Sequence, residues 1–177
     1  MAHLSGLFYR IKDNLPLNAR CMFYNAYVLP ILNYCLPVWG SCYATQKDRM
    51  FKLQKRFTRM ILNDYISPVN ALMKRLHILP IDQLFMYHTA IQMYKCVNGM
   101  SPNYLSSMFE ICGETHSYQL RDAGIGVRPP LPHLEISKRS PRYAGAHVWN
   151  SVPIVIRETA TLNAFKFRLK QHLFNMF

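Results

Sequence analysis

The fold is decided by residues 21–62, which read CMFYNAYVLPILNYCLPVWGSCYATQKDRMFKLQKRFTRMIL. The first part of this stretch, up to Gln46, contains no charged residue, whereas the second part is rich in lysine and arginine. An uncharged aromatic segment that leads into a basic amphipathic helix predicts a buried support that presents a cationic surface. Such a surface indicates a partner of opposite charge.

The whole chain carries an excess of positive charge. Of its 177 residues, 21 are Lys or Arg and 9 are Asp or Glu, which gives a formal net charge of +12. Half of the residues are hydrophobic and 17% are charged, a composition typical of folded proteins and not of disordered chains. The clustered charge favours a polyanionic partner, either nucleic acid or an anionic membrane surface.

The basic helix is predicted over residues 46–62, with Thr45 and Asp48 at the spacing of a capping box. Apolar side chains recur on one side with the helical period, at Met50, Leu53, Phe57, Met60 and Ile61. The opposite side carries Lys52, Lys55, Arg56 and Arg59, with Lys47 and Arg49 at its margins. A solvated helix face normally mixes both signs of charge, but Asp48 is the sole acid here. This face therefore predicts contacts with an anion.

A second group of cations borders a proline-rich segment. The pattern of residues 118–137 predicts a short β-hairpin or an extended arm. The cations around it are Arg121, Arg128, Lys138, Arg139 and Arg142. They fit either a second phosphate-contacting strip or a solvated loop, and both interpretations stay open.

Most of the remaining chain consists of periodic segments with helix start and stop signals. The predicted fold class is mainly α, a helical bundle in two subdomains. The first, residues 1–66, contains the basic helix, and the second, residues 67–177, contains the arm at 114–139. The uncharged run 21–46 imitates a membrane span in length, but its Asn, Pro and Gly residues favour a buried helix followed by a loop. No membrane span is predicted.

Residues capable of catalysis or metal binding are scattered along the sequence. The five cysteines are irregularly spaced and include no C-x-x-C, a pattern typical of reduced thiols in an intracellular protein. The seven histidines form no H-E-x-x-H motif. The sequence therefore predicts no catalytic residue, no metal ligand and no cofactor in this chain. Trp39 and Trp149 are interpreted as core anchors in preference to base-stacking side chains.

Four blocks of sequence resemble, in order, the region that follows the catalytic palm in non-LTR (LINE-type) retrotransposon reverse transcriptases. They are YNAYVLPILNYCLPVWG at 24–40, LQKRFTRMIL at 53–62, LHILPIDQLFMYHTAIQMYKCVNGMSPNYLSSMF at 76–109 and RSPRYAGAHVWNSVPIVIRETATLNAFKFRLKQHL at 139–173. The resemblance covers nearly the whole chain. It implies a thumb-like helical bundle that grips template and primer. The implied partners are RNA or an RNA/DNA hybrid, together with the palm and fingers of the parent polymerase. The implied location is an intracellular ribonucleoprotein, nuclear or cytoplasmic.

The resemblance does not extend to the catalytic machinery. The parent enzymes hold two Mg²⁺ ions with an Asp-Asp turn and an upstream Asp. In this chain Asp13, Asp48, Asp64, Asp82 and Asp122 are all isolated. We therefore expect a non-catalytic fragment and not an enzyme. The alternative is a helical interaction module whose basic face meets an acidic protein or an anionic membrane.

Overall fold

The computed structural model describes residues 2–112 and 125–177, and these residues are mainly α-helical, as predicted. Within these ranges the only β pairing is one antiparallel bridge between Ile111 and Val127. The α-helices are α1 (Ala2–Ile11), α2 (Leu17–Phe23), α3 (Leu29–Asn33), α4 (Leu36–Trp39), α5 (Ala44–Leu62), α6 (Val69–Arg75), α7 (Ile81–Val97), α8 (Asn103–Ser106), α9 (Pro141–Ser151), α10 (Ile154–Arg157) and α11 (Leu162–Met176). Short 3-10 helices lie at Lys12–Asn14 and Glu135–Arg139, and a π-helix lies at Tyr24–Val28.

The chain folds into two compact units. The first comprises Met1–Leu36, Cys42–Leu84 and Phe177, and the second comprises Pro37–Ser41 and Phe85–Met176. This division lies further along the chain than the predicted boundary after residue 66. The reason is that α6 packs against α5, and Gln54 in α5 donates a 2.8 Å hydrogen bond to the carbonyl of Leu79. Residues 67–84 therefore belong with the basic helix.

The core of the first unit is built around aromatic rings. Phe8, Tyr24 and Phe57 are almost completely buried. The ring centroid of Phe8 lies 4.8 Å from that of Phe23 and 5.8 Å from that of Phe57, which ties α1 and α2 to α5. Phe57, together with Met60 and Ile61, confirms the predicted apolar side of the basic helix.

Gln54 is a buried polar residue on the same side of α5. Its Nε2 donates hydrogen bonds to the hydroxyl of Tyr24 at 3.1 Å and to the carbonyl of Leu79 at 2.8 Å. Burial raises the pKa of Tyr24 to about 12, so this hydroxyl stays neutral at physiological pH. Gln54 thus connects α5 to two distant segments of the first unit through polar contacts that the hydrophobic pattern did not reveal.

Pro30 does not end the helix in the uncharged segment. The chain passes through the π-helix Tyr24–Val28 and continues as α3 to Asn33. The widened π turn directly precedes Pro30, and it relieves the clash that a proline makes with the carbonyl four residues earlier. The sequence predicted a buried helix in the uncharged run, but Met22 and Tyr27 within it are exposed.

The ends of α5 differ from the predicted capping box. The helix begins at Ala44 after Tyr43, and no side chain caps it, so the Thr45–Asp48 box does not form. At the other end Asn63 adopts a left-handed conformation with φ 53°, and its N–H bonds to the carbonyl of Arg59. The Oδ1 of Asn63 also accepts a 2.8 Å hydrogen bond from Lys12 Nζ. The helix is therefore capped at its C-terminus, by Asn63, and not at its N-terminus as predicted.

The second unit has its own aromatic core. Trp149, Tyr94 and Phe165 are buried, and the ring centroids of Tyr94 and Phe165 lie 4.5 Å apart. The hydroxyl of Tyr94 donates a 2.6 Å hydrogen bond to the carbonyl of Thr159. The interpretation of Trp149 as a core anchor is confirmed. Trp39 is only half-buried.

The predicted arm is anchored by α9. Asn150 accepts a 3.1 Å hydrogen bond from the N–H of Val127 and donates a 2.7 Å bond to its carbonyl, while Trp149 Nε1 donates a 2.7 Å bond to the carbonyl of Ile125. Residues 118–124 of the predicted hairpin lie outside the described residues. In the described part, 125–137, there is no two-stranded hairpin, and residues 135–139 form a 3-10 helix instead of an extended segment. An i to i+3 ion pair between Glu135 and Lys138 accompanies this turn.

Replacing Phe57 by alanine should lower the free energy of unfolding by about 3–5 kcal/mol, because Phe57 is 0% exposed and its removal leaves a cavity. Urea unfolding measures the change. The matched control is Phe167→Ala, since Phe167 is 64% exposed and its loss should alter stability by about 0.5 kcal/mol at most. Equal effects of the two substitutions would contradict the assigned core.

Candidate nucleic-acid interface

Four predicted cations gather in one place on the first unit. Lys52, Lys55, Arg56 and Arg59 line a depression of about 360 Å³ together with Tyr65, and we call this site the basic depression. Their spacing along α5, at i, i+3, i+4 and i+7, places them on a single helix face. The side chains of Lys52 and Arg56 are exposed, whereas those of Lys55 and Arg59 are half-buried.

Within the described ranges, none of the four cations forms an ion pair with a carboxylate. Asp48 lies four residues before Lys52 on α5, but no ion pair joins the two side chains among the described residues. Asp64, which follows the helix, is engaged with backbone N–H groups. Like charges three and four residues apart destabilise a helix by about 0.2–0.5 kcal/mol per pair, so the cluster costs about 1–2 kcal/mol. A bound polyanion would remove that cost.

Two of the cations have distinctive surroundings. The Nζ of Lys55 lies 4.1 Å from the ring centroid of Phe51, a cation–π contact that holds the ammonium group against the helix. The Nε of Arg59 is buried and has no hydrogen-bond partner among the described residues. A buried N–H group without an acceptor is unfavourable.

Tyr65 stands on a turn that Asp64 fixes. The Oδ1 of Asp64 accepts hydrogen bonds from the N–H groups of Ile66 and Ser67, both at 3.0 Å. A hydrogen bond from the Ser67 side chain, followed by these two N–H bonds, holds the pKa of Asp64 below its ordinary value. The aspartate thus stays ionised and keeps the turn closed at the rim of the basic depression.

The two cations predicted at the margins lie outside the basic depression. Lys47 Nζ forms a 3.0 Å ion pair with Asp82 Oδ1, which pins the start of α5 to the start of α7. Arg49 is exposed and does not line the depression. Four of the six cations predicted on the basic helix therefore form one site.

The second predicted strip, on the second unit, is largely neutralised. Arg128 and Arg142 both approach Glu110, at 4.0 Å and 3.3 Å, and Lys138 is paired with Glu135. Arg139 is half-buried, and its carbonyl accepts a 2.6 Å hydrogen bond from the Ser41 hydroxyl. Arg121 lies outside the described residues. Three of the four described members of this strip, Arg128, Lys138 and Arg142, thus face carboxylates of their own unit, which favours the interpretation of a solvated loop.

Groups that could support catalysis are not clustered in the part of the chain that the structure describes. There, no three His, Cys, Asp or Glu side chains lie close enough together to hold a metal ion. All five cysteines are unpaired thiols. Among the described helices, none has both the length and the apolar character that a membrane crossing requires.

No protein-family model, curated protein or solved structure matches this chain. The resemblance to reverse transcriptases therefore stays a prediction from the sequence. The arrangement of charge on α5 is then the strongest guide to function.

Replacing Lys52 and Arg56 together by glutamine should raise the free energy of unfolding by about 0.5–1.5 kcal/mol at low salt, because four like-charge pairs along α5 disappear and only one favourable pair, between Asp48 and Lys52, is lost with them. The gain should fade in 1 M salt, where the Debye length falls to about 3 Å. Urea unfolding at the two ionic strengths measures both effects.

The matched control removes two cations that have carboxylate partners, Lys138 and Arg142. This Lys138→Gln, Arg142→Gln variant carries the same change in net charge but should be neutral or slightly destabilised, since exposed ion pairs contribute about 0–1 kcal/mol. A destabilised Lys52→Gln, Arg56→Gln variant would show that the two side chains support the fold instead of straining it.

The turn that carries Tyr65 should make stability depend on pH. Folding lowers the pKa of Asp64. Its contribution to the free energy of unfolding is therefore complete when the pH is above the pKa of the unfolded state, about 4, and is lost as the pH falls through the pKa of the folded state. Asp64→Asn keeps an oxygen acceptor but cannot titrate. The stability advantage of the wild type over Asp64→Asn should hold steady from pH 5 to 7 and shrink below about pH 4. An advantage that persists unchanged at pH 2.5 would refute this role.

Proposed function

We propose that this chain is a non-catalytic nucleic-acid-binding module, of the kind found in the thumb and post-palm region of non-LTR reverse transcriptases. It binds RNA or an RNA/DNA hybrid through the basic depression. One observation supports this function above all: four cations face one depression and none has a carboxylate partner within the described residues.

Nucleic acid fits this charge pattern better than a single small anion. Consecutive phosphates along a strand can neutralise several cations at once, and the release of condensed counterions then drives binding. Such phosphate contacts fix register and orientation without reading sequence. The module would therefore grip a template-primer at any position along it, as a thumb must during synthesis.

An exposed uncharged face supports the expected second partner, the palm of the parent polymerase. Met22, Tyr27 and Ile31 of the first unit are all exposed, with Met22 at 70%. Large exposed apolar side chains are candidates for contact with a protein partner. In the intact polymerase this face would pack against the palm, while α5 faces the nucleic acid.

The alternative function is an interaction module for an anionic membrane or an acidic protein. Its support comes from Ile66, which is 98% exposed beside Tyr65 at the rim of the basic depression. An apolar side chain next to cations is typical of membrane-surface anchors. Contacts between cations and phosphates do not explain an exposed isoleucine at this position.

The salt dependence of binding to nucleic-acid probes tests the proposed function. Four phosphate contacts predict a slope of log K against log salt of about −3 to −4 on single-stranded RNA and duplex probes. The Lys52→Gln, Arg56→Gln variant should reduce the magnitude of the slope by about 1.4–1.8 and weaken binding to all sequences alike. Fluorescence anisotropy between 50 and 300 mM salt measures both quantities.

The variant Lys138→Gln, Arg142→Gln controls for net charge and should bind like the wild type. Salt-insensitive binding, or equal loss of binding in the two double variants, would contradict the proposed interface. Saturable binding to phosphatidylserine vesicles without binding to RNA would establish the alternative.

A further inference from the structure

We infer that the basic depression binds a segment of single strand, with consecutive phosphates against the cations of α5 and one unpaired base stacked on the ring of Tyr65. The site would then prefer single-stranded nucleic acid, or a frayed strand end, to a continuous duplex. This inference rests on the proposed function and specifies which form of nucleic acid the site takes.

Tyr65 is presented by an ordered turn and not by a loose loop. Asn63 ends α5 in a left-handed conformation and is tied to Lys12, and Asp64 then closes the following turn through two backbone N–H groups. The ring therefore has a defined position three residues beyond the end of the helix. A stacking platform must be preorganised in this way, because a disordered ring loses much of its contribution on binding.

The ring of Tyr65 is also available. It is 51% exposed, and in the described part of the chain it forms no ring–ring contact and no cation–π contact. The neighbouring aromatic residue Phe51 differs, since Lys55 lies over its ring. Of these two rings, Tyr65 is thus the one suited to accept a base.

A strand with unpaired bases can contact both the cations of α5 and the ring of Tyr65. Single strands offer phosphates and exposed base faces side by side, and proteins bind them with cationic grooves and aromatic side chains together. In a duplex the base faces are covered by their neighbours, so a ring outside the helix has nothing to stack on. The volume of about 360 Å³ lies near the lower limit for small-ligand sites, which is enough for the one nucleotide whose base meets Tyr65.

The test compares a 12-nucleotide oligouridylate RNA with a 12-base-pair blunt RNA duplex, using the full chain. Tyr65→Leu keeps apolar bulk but removes the aromatic face, and it should weaken binding to the single strand by about tenfold. Binding to the duplex should change less than twofold, and the salt slope on both probes should stay the same. Tyr65→Phe keeps the ring and should bind both probes like the wild type.

Ile66→Ser is the matched control at the adjacent position and should leave binding to both RNA probes unchanged. The stacking role would be overturned if Tyr65→Leu weakened binding to both probes equally or to neither. It would also be overturned if Tyr65→Phe weakened binding as much as Tyr65→Leu. In each case a steep salt slope would still support the proposed function. Loss of vesicle binding in Ile66→Ser, with RNA binding unaffected by Tyr65→Leu, would assign the rim to a membrane surface. A flat salt slope on both probes would instead refute the proposed function itself.

Discussion

The buried hydrogen bonds of Gln54 fix the rotation of α5, and the rest of the first unit depends on that rotation. The amide of Gln54 reaches the Tyr24 hydroxyl on one side and the Leu79 carbonyl on the other. Turning the helix about its axis by one residue, or about 100°, would break both bonds and leave buried polar groups without partners. Apolar packing alone tolerates small rotations, whereas directional bonds do not. The cationic face is therefore directed to solvent by a polar contact inside the core.

The parts of the fold that depend on local periodicity could be predicted from the sequence. The helix at 44–62, its apolar side and the grouping of Lys52, Lys55, Arg56 and Arg59 all follow from the 3.6-residue repeat. Gln54 and Thr58 escaped prediction because polar residues interrupt the apolar pattern, although both are buried. The missing capping box has a similar cause, since a matching spacing does not oblige the side chains to bond.

The pairing of charges required the structure. By sequence alone, Arg128, Lys138 and Arg142 look as basic as the residues of α5. Their distances to Glu110 and Glu135 separate them from the cluster on α5, because a cation with a carboxylate neighbour has less to gain from a phosphate. Tyr65 was missed for a related reason: its place beside the cations depends on the left-handed Asn63, which turns the chain back at the end of the helix. The hydrophobic periodicity of a sequence does not predict a turn of this kind.

The π-helix Tyr24–Val28 sets the phase between the two halves of the long N-terminal helical segment. A π turn holds one residue more than the α-helix around it, so everything after it is rotated by about 100° relative to an uninterrupted helix. Leu32, in α3, is buried on the far side of this offset. The loss of a single residue here, such as the exposed Ala26, would restore regular geometry and rotate Leu32 away from the core. This segment is therefore tolerant of substitution at its exposed positions but intolerant of any change in length.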